Sequence, residues 1–261
     1  MPFPRLRLLS VLFACLLLAG CAIWRTAKAP LTTGLDPSTC GTADTLLVFL
    51  PGAYSDPQEF VTEGFVRQVR ERHIAADVLL VDAHMGYYTN RTIVDRLEAD
   101  VLVPARLKGY RAIWLVGISV GGFGALIHEE LQPGSVAGIV VLAPYLGQRL
   151  LSTDIDVAGG LRAWRAPVGP LPLDEMETRL WRWLQAYGTT PSPPQGRPPL
   201  YLGYGLDDRF VFSHRLLAAA LPKERVFTTD GGHDWPEWRR LWSQALDVLP
   251  LPACKTPRPG R

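Results

Sequence analysis

Three stretches far apart in the chain carry the groups that nucleophilic acyl transfer needs. Ser119 stands in Gly117-Ile118-Ser119-Val120-Gly121, and His233 stands in Gly231-Gly232-His233-Asp234-Trp235. A pair of carboxylates follows Gly205 in Gly205-Leu206-Asp207-Asp208. A serine hydroxyl is a poor nucleophile until a base takes its proton. An imidazole can take it, and a carboxylate can fix the tautomer of the imidazole and steady the imidazolium that forms. Asp207 and Asp208 are both candidates for that carboxylate. Asp234, adjacent to His233, reads instead as a cap for the helix that begins near Trp235 and Pro236, with Glu237 three positions on. Of the other histidines, His73 lies in a charged helical end, His128 on the helix after Ser119 and His214 on a late helix. His84 follows a strand at the end where a pocket would open.

These groups need a scaffold that brings distant residues together. Short apolar runs alternate with longer amphipathic stretches, the pattern of βα units on a mainly parallel sheet covered on both faces. Strands are expected at 45–50, 76–81, 112–116, 138–142, 199–203 and 225–229. Helices are expected at 57–72, 91–107, 121–131, about 212–220 and about 236–250. The strand 112–116 runs into Ser119 and a helix follows, the strand–turn–helix setting in which G-x-S-x-G has meaning. Glycines at 117 and 121 let neighbouring backbone pass where a Cβ would clash. The start of the helix offers unpaired N–H groups to a developing negative charge. The Val120 N–H is one oxyanion donor on this reading. The loop after 45–50 supplies the second from Ala53, with Tyr54 the alternative.

Residues 145–198 exceed what a crossover needs and read as a small lid or cap, the alternative being a surface helical excursion packed for stability. Asp174 and Glu177 form a candidate capping box ahead of an amphipathic helix with Leu180, Trp181, Leu184 and Tyr187 near one face. Pocket candidates are Tyr54, His84, Tyr87, Tyr145 and Trp164. No metal or organic cofactor is required by this chemistry.

GISVGGFGAL and GGHDWPEWR resemble the α/β-hydrolase superfamily over residues 44–251. They are similar to the esterase branch that includes S-formylglutathione hydrolases and feruloyl esterases. The resemblance implies an α/β-hydrolase fold, a mainly parallel sheet with helices on both faces, and ester hydrolysis through an acyl-enzyme. In many members the acid comes three residues after a glycine beyond its strand, which selects Asp208. The chain order Ser119, Asp208, His233 is also the order of that superfamily. An acyltransferase using the same triad, or a non-catalytic lipid-anchored protein on the same scaffold, are the alternatives. The family usually has eight strands; six are found, the first pair being absent.

Arg5 and Arg7, the apolar run Leu8–Leu18, and the small pair Ala19-Gly20 have the layout of an export signal over 1–20. Leu18-Ala19-Gly20-Cys21 resembles a bacterial lipobox, which implies lipid on Cys21. The expected location is a bacterial membrane, the outer one facing the periplasm. Residues 21–43 read as a slack tether and 252–261 as a tail. Cys40 and Cys254 would remain as a candidate disulfide in an oxidising compartment. The net charge of +2, with several basic residues confined to the two ends, leaves no interior stripe for a nucleic-acid backbone. The expected partners are a small-molecule or lipid ester and the membrane, with the chain itself a monomer.

Overall fold

The computed structural model describes residues 25–188 and 194–254. The signal segment, Cys21, the tail from 255 and residues 189–193 of the Pro-rich loop lie outside the described residues. No helix among the described residues is long and apolar enough to cross a membrane.

A seven-stranded sheet organises the molecule: β1 (Thr33–Asp36), β2 (Thr45–Leu50), β3 (Asp77–Val81), β4 (Ala112–Ile118), β5 (Gly138–Leu142), β6 (Leu200–Gly205) and β7 (Val226–Thr229). The spatial order is β1-β3-β2-β4-β5-β6-β7, parallel throughout except for β1, which runs antiparallel to β3. Strand side chains point alternately to opposite faces. Leu46, Val48 and Leu50 therefore join one core cluster, while Leu47 and Phe49 join the other. Continuous apolar runs bury both ways because helices cover both faces.

On one face α1 (Glu59–Thr62), α2 (Phe65–Glu71) and α10 (Trp235–Leu246) pack through aromatic rings. Phe49 meets Phe60 and Trp242 with ring centroids 4.9 and 5.5 Å apart. On the other face lie α4 (Ile93–Leu97), a π turn at Glu98–Leu102, α5 (Val103–Leu107) and α6 (Val120–Leu131). The expected helix 57–72 is split because Gly64 takes φ +79°, which ends one helix and starts the next.

Three expectations are corrected. The sheet has seven strands where six are expected. The stretch 21–43 is not wholly slack, because Thr33–Asp36 adds an edge strand and Leu31 is buried. The capping box at Asp174 does not form. Glu175 is the N-cap of α8 (Met176–Gln185) with no side-chain cap, and Glu177 is used elsewhere. The insertion expected as a lid contains α7 (Arg149–Val157) and α8, and the predicted face Leu180, Trp181, Leu184 and Tyr187 is buried. Arg179 ties α8 to Glu130 on α6 through Nη2 at 2.9 and 3.0 Å.

Cys40 and Cys254 form a disulfide with a Cα separation of 5.2 Å. It lies at the amino ends of the parallel strands, where Cys254 N–H also donates to the His73 carbonyl at 2.7 Å.

Candidate active site

Chain order reverses direction across the sheet between β2 and β4. Such a switch point opens a crevice at the carboxyl ends of the strands. The register pairs Leu50 with Gly117, so the chain leaving β2 at Pro51–Ala53 runs beside the turn leaving β4 at Ser119. That turn is strained: Ser119 has φ +52° and ψ −115°, outside the regions that L-residues favour. Surrounding structure holds it there. Ser119 N–H donates to the Leu142 carbonyl at 3.0 Å, and the Ser119 carbonyl accepts from Tyr145 N–H at 2.9 Å. The flanking glycines are required by crowding. A Cβ on Gly117 would sit 2.3 Å from the Gly121 carbonyl oxygen, and one on Gly121 would sit 2.2 Å from the Leu50 oxygen.

The three chemically matched groups converge. Ser119 Oγ lies 3.0 Å from His233 Nε2, and His233 Nδ1 lies 2.8 Å from Asp208 Oδ2. An ionised carboxylate can only accept, so Nδ1 carries the proton and Nε2 keeps a lone pair toward the hydroxyl. Asp208 is buried and its other oxygen accepts from Phe210 N–H at 2.7 Å. Burial alone would raise its pKa, but the hydrogen bonds from His233 and the Phe210 N–H hold it below the usual carboxylate range. Asp207 is exposed and only its backbone takes part, donating to Gly231. Asp234 caps α10 by accepting from Trp235 N–H at 2.8 Å.

Two aromatic edges bracket the imidazole. Phe210 and Trp238 each meet the His233 ring at 5.2 Å, nearly perpendicular to it. These clamps were not foreseen, because a perpendicular ring contact across three elements leaves no trace in spacing. Beneath the acid loop, His214 Nε2–H donates to the Pro144 carbonyl at 2.8 Å. Burial lowers its pKa to about 4, so this ring is neutral.

Val120 opens α6, so its N–H is among the first four that lack an intrahelical acceptor. Ala53 N–H finds no acceptor among the described residues. Val120 follows Ser119 directly, and Gly52, next to Ala53, is close enough that a Cβ there would stand 3.7 Å from Ser119 Cβ.

A cavity of about 550 Å³ opens beside Val120 under the lid. Its wall includes Met85, Tyr88, Phe123, Tyr145, Leu151 and Met176. Of the five predicted pocket residues only Tyr145 lines it. His84 and Tyr87 line a neighbouring recess with Arg25, Tyr54 points into solvent, and Trp164 packs within the lid. Phe123 was legible in principle, being one helical turn beyond Ser119; Met85 and Met176 were not, since their walls meet only in space. Tyr145 O–H donates to Glu177 Oε1 at 2.6 Å, and Glu177 Oε2 accepts from Gln148 N–H at 2.8 Å, which ties the lid to the site. No group of three or more metal-ligating side chains stands together among the described residues.

The sequence model of the alpha/beta hydrolase family matches residues 47–260. No curated protein matches the chain in sequence. Among solved structures the fold is similar to S-formylglutathione hydrolase from Staphylococcus aureus, at 16% identity and TM-score 0.51, covering 86% of this chain and 98% of that one. It is similar to Est1E from Butyrivibrio proteoclasticus at 14% identity and TM-score 0.55, covering 83% and 91%. A marine microorganism esterase is similar at 15% identity and TM-score 0.52, covering 85% and 100%.

Proposed function

We propose that this chain, which belongs to the alpha/beta hydrolase family, is a serine hydrolase that cleaves carboxylic esters through an acyl-enzyme on Ser119. The observation that carries the reading is the unbroken run from Ser119 Oγ through His233 to Asp208, at 3.0 and 2.8 Å. Ser119 Oγ attacks the ester carbonyl as its proton passes to His233 Nε2. The oxyanion is met by the N–H groups of Val120 and Ala53; loss of one such donor typically raises the barrier by about 3 kcal/mol. The intermediate collapses as His233 gives the proton to the leaving alkoxide. A water then loses its proton to His233, attacks the acyl carbonyl and releases the acid, restoring the Ser119 hydroxyl.

We propose further that the chain is exported and lipidated on Cys21. The disulfide between Cys40 and Cys254 supports export, since such bonds persist in oxidising compartments.

A fluorophosphonate probe tests the hydrolase reading. Labelling of the wild type, lost in Ser119→Ala and His233→Ala, is expected. A folded protein that stays unlabelled and inert toward short acyl esters overturns it.

A further inference from the structure

The described body of the protein begins only four residues after Cys21. Four residue steps separate Cys21 from Arg25, a reach of at most about 14 Å. From Arg25 onward the chain is fastened. Arg25 forms an ion pair with Asp82. Tyr87 O–H donates to the Lys28 carbonyl at 2.9 Å, and Leu31 N–H donates to Asp100 at 2.9 Å. The fit is close enough to need glycine at 86, where a Cβ would stand 2.1 Å from the Arg25 carbonyl oxygen. A domain of this length has a radius of gyration of about 17 Å, longer than the leash.

The fastening point lies on the catalytic side. Asp82 follows β3, so Arg25 meets the sheet at its carboxyl edge, the edge that carries Ser119. One short helix, α3 (Met85–Thr89), serves both: Tyr87 holds the leash while Met85 and Tyr88 line the cavity beside Val120. Exposed apolar side chains stand among charged ones around that cavity. Leu150 and Val157 share one face of α7 and are 72% and 82% exposed, and Leu173, 66% exposed, precedes the rim residue Asp174. Leu107 is equally exposed, but it sits before β4 at the opposite edge.

We propose that the leash holds the carboxyl edge of the sheet against the bilayer that carries the Cys21 lipid, so that the mouth beside Leu150 and Leu173 takes acyl esters resident in that membrane. The proposal rests on the esterase reading and on acylation of Cys21. The carboxylates of Asp154, Asp174 and Glu175 interleave the apolar side chains, which keeps the contact at headgroup depth and favours a zwitterionic surface.

The test uses the full lipidated protein in phosphatidylcholine vesicles containing lipids with a quencher in the headgroup region. Fluorophores are placed through Leu173→Cys and, separately, Leu107→Cys. Quenching at 173 and not at 107 is expected. A Gly/Ser insertion of about twenty residues between Cys21 and Arg25, with a mean span of about 25 Å, should erase that difference. It should also slow hydrolysis of a vesicle-embedded ester about tenfold through lower effective concentration, with a soluble ester unaffected. Equal quenching, stronger quenching at 107, an insertion without effect on the vesicle substrate, or a mature protein without lipid on Cys21 would each overturn the orientation. Failure on the soluble ester in the parent would instead sink the hydrolase reading, and quenching would still decide the orientation.

Discussion

Asp208, a buried residue in an otherwise exposed loop, accepts a hydrogen bond at Oδ2 from His233 Nδ1 at 2.8 Å, while Oδ1 is held by the Phe210 N–H. Each carboxylate oxygen thus accepts from a group that favours the ionised acid. Asp208→Asn should keep the fold but present an amide N–H to the ring in place of a second acceptor, favouring the wrong tautomer. A loss of roughly a thousand- to ten-thousand-fold in kcat on a chromogenic acyl ester is expected. Asp207→Asn, at an exposed position, should stay within a few-fold of wild type. The reverse ranking would reassign the acid.

Tyr145 and Glu177 join the loop after β5 to the lid. Tyr145→Phe removes the donor and leaves a Glu177 oxygen short of a partner, a loss of about 1 kcal/mol. Since Tyr145 lines the cavity and does not touch the Ser119 hydroxyl, KM should rise by up to about fivefold with kcat nearly unchanged. Steady-state kinetics across acyl-chain lengths would check this, and a collapse of kcat alone would count against a positioning role.

His214 is fully buried and its pKa is pushed down to about 4, from an ordinary value of 6.5. Between those values the unfolded chain binds a proton that the folded protein refuses. Stability therefore rises with pH across this window and is lost as pH falls from about 6.5 to about 4, on the order of 3 kcal/mol for this group. Asp208, also held low, adds loss of the same sign as pH falls through its own folded value. Thermal melts should show Tm dropping over this range. His214→Gln, which keeps a donor toward Pro144 but does not titrate, should flatten the drop. A slope unchanged by that substitution would refute the assignment.

The Cys40–Cys254 disulfide lies at the edge of the sheet away from Ser119. It closes a loop of 214 residues, yet the terminus is also pinned by backbone bonds from Ala75 to Pro252 and from Cys254 to His73. The double substitution Cys40→Ser, Cys254→Ser should lower stability by about 2–4 kcal/mol in chemical denaturation. Ester turnover at 25 °C should be unchanged within a factor of two, because no catalytic group contacts that edge. Lost activity in the folded variant would contradict the separation of the two ends.

Residue order and spacing single out Ser119, His233 and a carboxylate after Gly205, groups that the fold brings together, because each is punctuated by glycine at a strand end and the local backbone demands are strict. The parallel strands were legible for a related reason: runs buried on both faces have no polar alternation to hide them. Thr33–Asp36 was not, since its strand identity comes from pairing with β3 and its side chains are largely exposed. His84 and Tyr87 stand at the right end of the sheet but on the wrong side of α3, and only the packing of that helix decides which recess each side chain enters. The clamp of Phe210 and Trp238 on the imidazole, the choice of Glu177 for Tyr145 over a helix cap, and the walls of the cavity also belong to tertiary structure alone. Each depends on distances between elements remote in the chain, and one-dimensional periodicity records which face a residue takes but not what meets it there.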